Sequence, residues 1–154
     1  MESEFKSFSD VMGRSSNCRS ANRHLKRDPG SVLLAISGHG VSKDKHERLA
    51  MTITIGEKVC RMARLVIGDR VDIRLDLKSR LMLLRRVKDG GYALSVVGTV
   101  AKKFEAEGRY MDAITKATIY PGRGVAYKKI GRSVCDHTVT DDGILIDIPA
   151  AFLE

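Results

Sequence analysis

Basic side chains are concentrated in the middle of this sequence, where their types and spacing suit phosphate binding. Between positions 58 and 88, ten lysines and arginines stand against three aspartates. A guanidinium group binds phosphate oxygens through two parallel hydrogen bonds, and such contacts hold a protein on nucleic acid without reading its bases. The pattern therefore predicts a nucleic-acid-binding surface. The residues expected to form it are Lys58, Arg61, Arg64, Arg70, Arg80, Arg85 and Arg86.

The predicted contacts begin on a short helix. Lys58, Arg61 and Arg64 recur at every third position, so they fall along one helical face, and we expect no acidic partner on that face. Unpaired cations would be free to bind phosphates. The competing interpretation is a solvated surface, and we accept it for the following strand, where Asp72 and Arg74 are expected to pair along and across strands.

A second basic segment combines tyrosines with cations around a glycine-rich turn. Such a composition can stack on bases or follow a nucleic-acid backbone. We favour a surface loop whose tyrosine rings pack against the protein. Binding of single-stranded nucleic acid or RNA remains a weaker alternative. The residues concerned are Tyr120, Arg123, Tyr127, Lys128, Lys129 and Arg132.

Residues for catalysis or metal binding are sparse. Cys135, Asp136 and His137 are consecutive, but without a second ligand pair they do not predict a metal site. No nucleophile elbow or dinucleotide fingerprint is present, and a hairpin turn accounts for Asp141 and Asp142. We therefore expect no enzymatic activity, no cofactor and no metal.

Composition limits the organisation of the chain. With 154 residues, 43% hydrophobic and 30% charged, it suits one globular domain, and its net charge of +8 favours polyanionic partners. Residues 1–30 show no apolar period and end on the turn sequence Asp28-Pro29-Gly30, which predicts a mobile polar arm. Residues 31–154 are expected to form a single β-rich domain. The acidic start and the absence of a long apolar stretch predict a cytoplasmic protein with no membrane segment.

Hydrophobic periodicity predicts mainly strands. Residues 31–37 form a short apolar run, residues 38–47 suit a polar loop, and residues 49–55 alternate as a half-buried strand does. Residues 71–77 alternate cleanly, and residues 81–87 and 92–97 follow tight turns, so an antiparallel meander is expected.

The remaining elements follow from shorter patterns. A short helix after Gly56 is expected to bury Val59, Met62, Ala63 and Val66. Further strands are predicted at residues 113–120, 125–130 and 144–148, and a turn of helix at residues 150–153.

The segment from Leu49 to Val87 resembles the AbrB-like family of transition-state regulators and antitoxins. The resemblance consists of a strand and short helix at residues 51–59, a Gly-Asp turn and alternating strand at residues 67–73, and an apolar strand ending in Arg85 and Arg86. It implies a small antiparallel β-barrel of swapped-hairpin type with short helices, formed by a homodimer that binds DNA. By matched position, a DNA contact carries over only to Arg61. The whole chain also looks similar to proteins of phages and prophages.

These observations predict a DNA-binding transcriptional regulator encoded by a phage or prophage. The alternative is a phage-encoded inhibitor whose basic face binds an acidic surface on a host nucleic-acid enzyme or defence factor. A dimer is also expected because the apolar strands at residues 51–55 and 81–84 each need a second layer. The length beyond residue 87 could instead supply that layer within one chain.

Overall fold

The computed structural model describes residues 28–41, 47–98 and 105–154. Among these residues, the helical elements with defined bounds are α1 (Glu57–Ala63) and a closing 3-10 turn (Ala150–Phe152). The strands are β1 (Val32–Val41), β2 (Glu47–Ile55), β3 (Arg70–Asp76), β4 (Leu81–Val87), β5 (Tyr92–Ala93), β6 (Ser95–Val96), β7 (Ala113–Ile119), β8 (Ile130–Cys135), β9 (His137–Thr140) and β10 (Gly143–Asp147).

The first sheet has the strand order β6-β7-β2-β1-β8, and all of its pairs are antiparallel. Its centre is β2, where Ile53 lies between Leu34 of β1 and Thr115 of β7. The alternating pattern predicted a strand with one buried face. Ala50 and Thr54, on its second face, are also buried, so β2 is buried more completely than its alternation predicted.

The second sheet has the order β5-β3-β4-β10-β9 and is also antiparallel. The hairpin of β3 and β4 is in full register from Arg70 opposite Val87 to Asp76 opposite Leu81. The clean alternation of residues 71–77 therefore predicted β3 correctly to within one residue.

One hydrophobic core joins the two sheets. Leu34 and Ile53 from the first sheet and Met82 and Ile144 from the second belong to the same cluster, and all four are fully buried. The prediction of a mainly β fold is thus confirmed. The predicted small barrel is replaced by two separate five-stranded sheets, since no strand pairing among the described residues joins one sheet to the other.

This packing changes the argument for a dimer. The apolar residues of β2 and β4, which were expected to need a second layer, belong to one core formed within a single chain. The homodimer therefore remains a prediction that rests on the family resemblance alone.

Three local predictions were wrong. The polar loop was expected from Gly38, but β1 continues to Val41. The expected meander fails because β5 pairs with β3 and not with β4, and residues 92–97 are divided between the two sheets. Residues 125–130 contain only an isolated bridge from Val125 to Leu153 before β8 begins.

The predicted arm lies mostly outside the described residues, which start at Asp28. Its terminal turn is present: the Gly30 amide donates to the Asp28 carboxylate at 2.9 Å. The Pro29 carbonyl accepts hydrogen bonds from the backbone N–H groups of Lys58 and Val59. The turn thereby satisfies two donors that the first turn of a helix otherwise leaves unpaired.

Candidate nucleic-acid interface

Helix α1 positions the first predicted contacts. Its first backbone N–H, that of Glu57, donates to the Asp112 carboxylate at 2.8 Å, and its buried residues are Val59 and Cys60. The expected apolar face is partly wrong, because Met62 is 61% exposed. At 3.6 residues per turn the buried face is centred between Val59 and Cys60, and Met62 points about 110° away from it.

One of the basic side chains on α1 is paired with an acidic side chain. The Arg61 guanidinium forms an ion pair with Glu57 at 3.1 Å, one helical turn earlier, and lies 5.1 Å from the centre of the Tyr110 ring. Both partners of the ion pair are exposed, so its contribution to stability is below about 1 kcal/mol. The expectation of a stripe without an acidic partner is therefore wrong for Arg61. Lys58 is exposed on the same helix.

Arg64 leaves the helical stripe because it caps the helix. Its backbone is left-handed, with φ 58° and ψ 41°, and its N–H donates to the Arg61 carbonyl at 3.3 Å. This conformation usually belongs to glycine, since a Cβ atom strains it. The cap redirects the Arg64 side chain from the helix surface toward the end of β4.

Three of the predicted contacts come together there. Arg64, Arg85 and Arg86 line one pocket of about 320 Å³, which we call the arginine pocket. The β9–β10 turn with Asp141 and Asp142 lines the same pocket. Within the described residues, none of the three guanidinium groups has an ion-pair partner within 4 Å. Three arginines without an ion-pair partner and two aspartates therefore line the same pocket.

Arg70 has a different role from the predicted one. Its guanidinium donates to the carbonyl oxygens of Gly90 and Gly91, the latter at 3.0 Å. Both glycines have positive φ, so the side chain supports the tight turn that leads from β4 to β5. Those donors are not available to a phosphate in this arrangement.

Arg80 lies apart from the arginine pocket. It occupies the β3–β4 turn, at the opposite end of β4 from Arg86, which at about 3.3 Å per residue places the two roughly 20 Å apart. It lines another pocket, of about 520 Å³, together with Asp136 and Asp147. The seven predicted contacts therefore do not form one continuous surface.

Comparisons of the chain with protein-family models, with curated proteins and with solved structures find no match. Within residues 28–41, 47–98 and 105–154, no three His, Cys, Asp or Glu side chains are grouped closely enough to hold a metal ion. The helices of that same part are too short or too polar to span a bilayer.

Neither described cysteine is suited to nucleophilic chemistry. Burial raises the pKa of the Cys60 thiol to about 12, and the nearby Asp112 carboxylate adds to the effect. Burial likewise raises the pKa of Cys135 to about 11. Both thiols are free and stay protonated at neutral pH, whereas the thiolate is the reactive form.

The tyrosine-bearing loop is more open than expected. Tyr120 is 65% exposed and Tyr127 39% exposed, while Val125 and Ala126 between them are buried. The loop is attached to the domain by apolar residues and by the Val125–Leu153 bridge, so the expected packing through tyrosine rings is wrong for Tyr120.

The sequence did not indicate that Asp141 and Asp142 would line the same pocket as the arginines. Their positions in an Asp-Asp-Gly turn predicted a hairpin turn into β10, which the structure confirms, whereas β9 before the turn was not predicted. Their proximity to Arg85 depends on the pairing of β4 with β10, which are distant from each other in the chain. No pattern within either segment encodes that pairing.

Replacing Arg64 with glycine is expected to stabilise the fold and weaken nucleic-acid binding together. Glycine adopts the left-handed cap without strain, so the free energy of unfolding should rise by about 0.5–1 kcal/mol. Urea denaturation measures this gain, and filter binding measures the affinity for duplex DNA. Arg64→Ala is the matched control, since it removes the guanidinium and retains the Cβ strain. A fall in stability for Arg64→Gly would contradict the prediction.

Proposed function

We propose that this protein is a cytoplasmic, phage- or prophage-encoded transcriptional regulator that binds DNA phosphates through the arginine pocket. The observation that carries the proposal is that Arg64, Arg85 and Arg86 line one pocket, none of them ion-paired within the described residues. An arginine that has no ion-pair partner in the free protein can bind a phosphate without first breaking an ion pair. The net charge of +8 provides long-range attraction to a polyanion.

The two aspartates that line the same pocket affect the binding mode. Asp141 and Asp142 repel phosphate, so a DNA backbone would lie on the arginine side of the pocket and avoid the β9–β10 turn. Helix α1 extends this basic side, because Arg64 caps the helix and Lys58 is exposed along it.

The family resemblance supports the proposal through element order. Strand β2, helix α1 and the β3–β4 hairpin follow one another as in the AbrB-like pattern, and Gly68 adopts φ 98° in the predicted Gly-Asp turn. We propose that residues 49–87 are an AbrB-like unit and that two chains associate on DNA as a homodimer. The arginine pocket would then occur twice on the complex.

The test replaces the three pocket arginines together. Arg64→Gln, Arg85→Gln and Arg86→Gln keep the aliphatic stems and remove the charges, so the fold should persist. We expect weaker binding to duplex DNA at many sequences alike. The slope of log affinity against log salt should fall by up to about 2.7, near 0.9 for each phosphate that is no longer neutralised.

A charge-matched control separates the pocket from general attraction. Lys116→Gln, Lys128→Gln and Arg132→Gln remove the same charge at exposed positions on other elements, and should leave most of the salt slope intact. Equal reductions in both triple variants would show that the pocket is not the DNA-binding surface. A parent protein without salt-dependent DNA binding would overturn the proposed function and favour the inhibitor of a host protein.

A further inference from the structure

An apolar cleft opens between the two sheets, away from the arginine pocket. Met51 and Ile53 of β2 line one wall, and Ile73 and Met82 of β3 and β4 line the other. Its volume is about 160 Å³. In other proteins an apolar cavity of about 150 Å³ accepts benzene, so the space fits a single ring or a short aliphatic group.

The cleft is open because two short strands leave sheet edges uncovered. In the described part of the chain, β5 pairs only with Arg70 and Val71, and β6 only with Ala113 and Ile114. The remaining edges of β3 and β7 border the cleft. This accounts for the 45% exposure of Leu75, a large apolar side chain at the opening.

Polar groups at the opening come from the loop after β7. Tyr120 and Arg123 both line the cleft, and both side chains are exposed. Within the described residues, Arg123 has no ion-pair partner within 4 Å. The carboxylate of Glu154 accepts a hydrogen bond from the neighbouring Gly124 N–H at 3.3 Å and does not pair with Arg123. A cation therefore stands at the opening of an otherwise apolar site.

We infer that this cleft binds a small amphipathic carboxylate, with a ring-sized apolar group between the sheets and its carboxylate at Arg123. The apolar walls favour burial of the ring, because burial removes its apolar surface from water. The guanidinium offers two parallel donors, which match the two oxygens of a carboxylate. The charged end of the ligand is therefore expected to be a carboxylate. The site does not depend on the proposed function, since none of the arginine-pocket side chains lines it.

The experiment titrates the full chain with three probes while recording amide NMR spectra. Benzoate carries both required groups, benzyl alcohol keeps the ring without the charge, and acetate keeps the charge without the ring. Benzoate should shift amide signals around Leu75, Ala117 and Ile119, and benzyl alcohol should shift the same signals with lower affinity. Acetate should leave them unchanged.

Two variants separate the parts of the site. Arg123→Gln should weaken benzoate binding about tenfold and leave benzyl alcohol binding unchanged. The variant should then no longer prefer benzoate over benzyl alcohol. Arg132→Gln, an exposed arginine outside the cleft, is the matched control and should change neither. Ala117→Leu should fill the cleft and abolish binding of both ring probes, with a dispersed spectrum as evidence that it folds.

Specific outcomes would overturn the inference. These are an absence of benzoate shifts at the cleft, shifts confined to the arginine pocket, or equal weakening by Arg123→Gln and Arg132→Gln. If benzoate does not bind, the test of DNA binding by salt dependence is still valid. If DNA does not bind, the benzoate titration is still valid. The two proposals can therefore be separated.

Discussion

Replacing Gly143 with alanine is expected to destabilise the protein by about 3 kcal/mol or more. Gly143 begins β10 with φ 144°, and a Cβ atom there would lie 1.9 Å from the Leu84 carbonyl oxygen of β4. Relief of that overlap requires β10 to move away from β4. Because Ile144 and Ile146 are fully buried, the movement would also disturb the core. Urea denaturation followed by circular dichroism measures the decrease in stability.

Gly131 provides the control for this substitution. It lies in β8, and a Cβ atom there would have no neighbouring heavy atom within 4 Å. Gly131→Ala should therefore change the free energy of unfolding by no more than about 0.5 kcal/mol. If Gly143→Ala were as stable as Gly131→Ala, the close approach of β10 to β4 would be incorrect.

Replacing Phe152 with alanine is expected to cost about 3–5 kcal/mol. The Phe152 ring is fully buried, and its carbonyl accepts a hydrogen bond from the Ala126 N–H at 2.8 Å. Removing the ring would leave a cavity in the core and weaken the attachment of the loop after β7. Thermal unfolding and urea titration should agree on the size of the effect.

An exposed position gives the matched comparison for Phe152. Val134 is 74% exposed, so Val134→Ala should change stability by less than about 0.5 kcal/mol. A decrease below about 1 kcal/mol for Phe152→Ala would mean that the closing turn is not part of the cooperative core.

Local patterns predicted the elements that depend on near neighbours. Alternation over residues 71–77 and the turn at residues 78–80 predicted the β3–β4 hairpin, because both strands and their connection lie in one stretch of chain. The Asp141-Asp142-Gly143 turn predicted the start of β10 for the same reason, although no strand was predicted at β9. These features need no information from distant residues.

Pairing between distant strands could not be predicted in this way. The sequence of residues 92–93 does not indicate that β5 pairs with β3. The sequence of β10 does not indicate that it pairs with β4. The arginine pocket depends on such a pairing, since the pairing of β10 with β4 brings the β9–β10 turn beside the end of β4. The ion pair on α1 is a different case, because Glu57 and Arg61 are four positions apart and that spacing alone is enough to indicate it.

The pairing of β1 with β8 has a consequence for how the chain folds. Val32 lies opposite Cys135, which is far later in the sequence. Strand β4 likewise pairs with β10, which is one of the last strands in the chain. Closing such long loops costs entropy before the strands can pair, so folding should be slow, in the range of milliseconds to seconds. During synthesis on the ribosome, neither sheet can be completed until its late strands have emerged. The β1–β2 and β3–β4 pairs, whose strands are adjacent in the chain, can form before the late strands arrive.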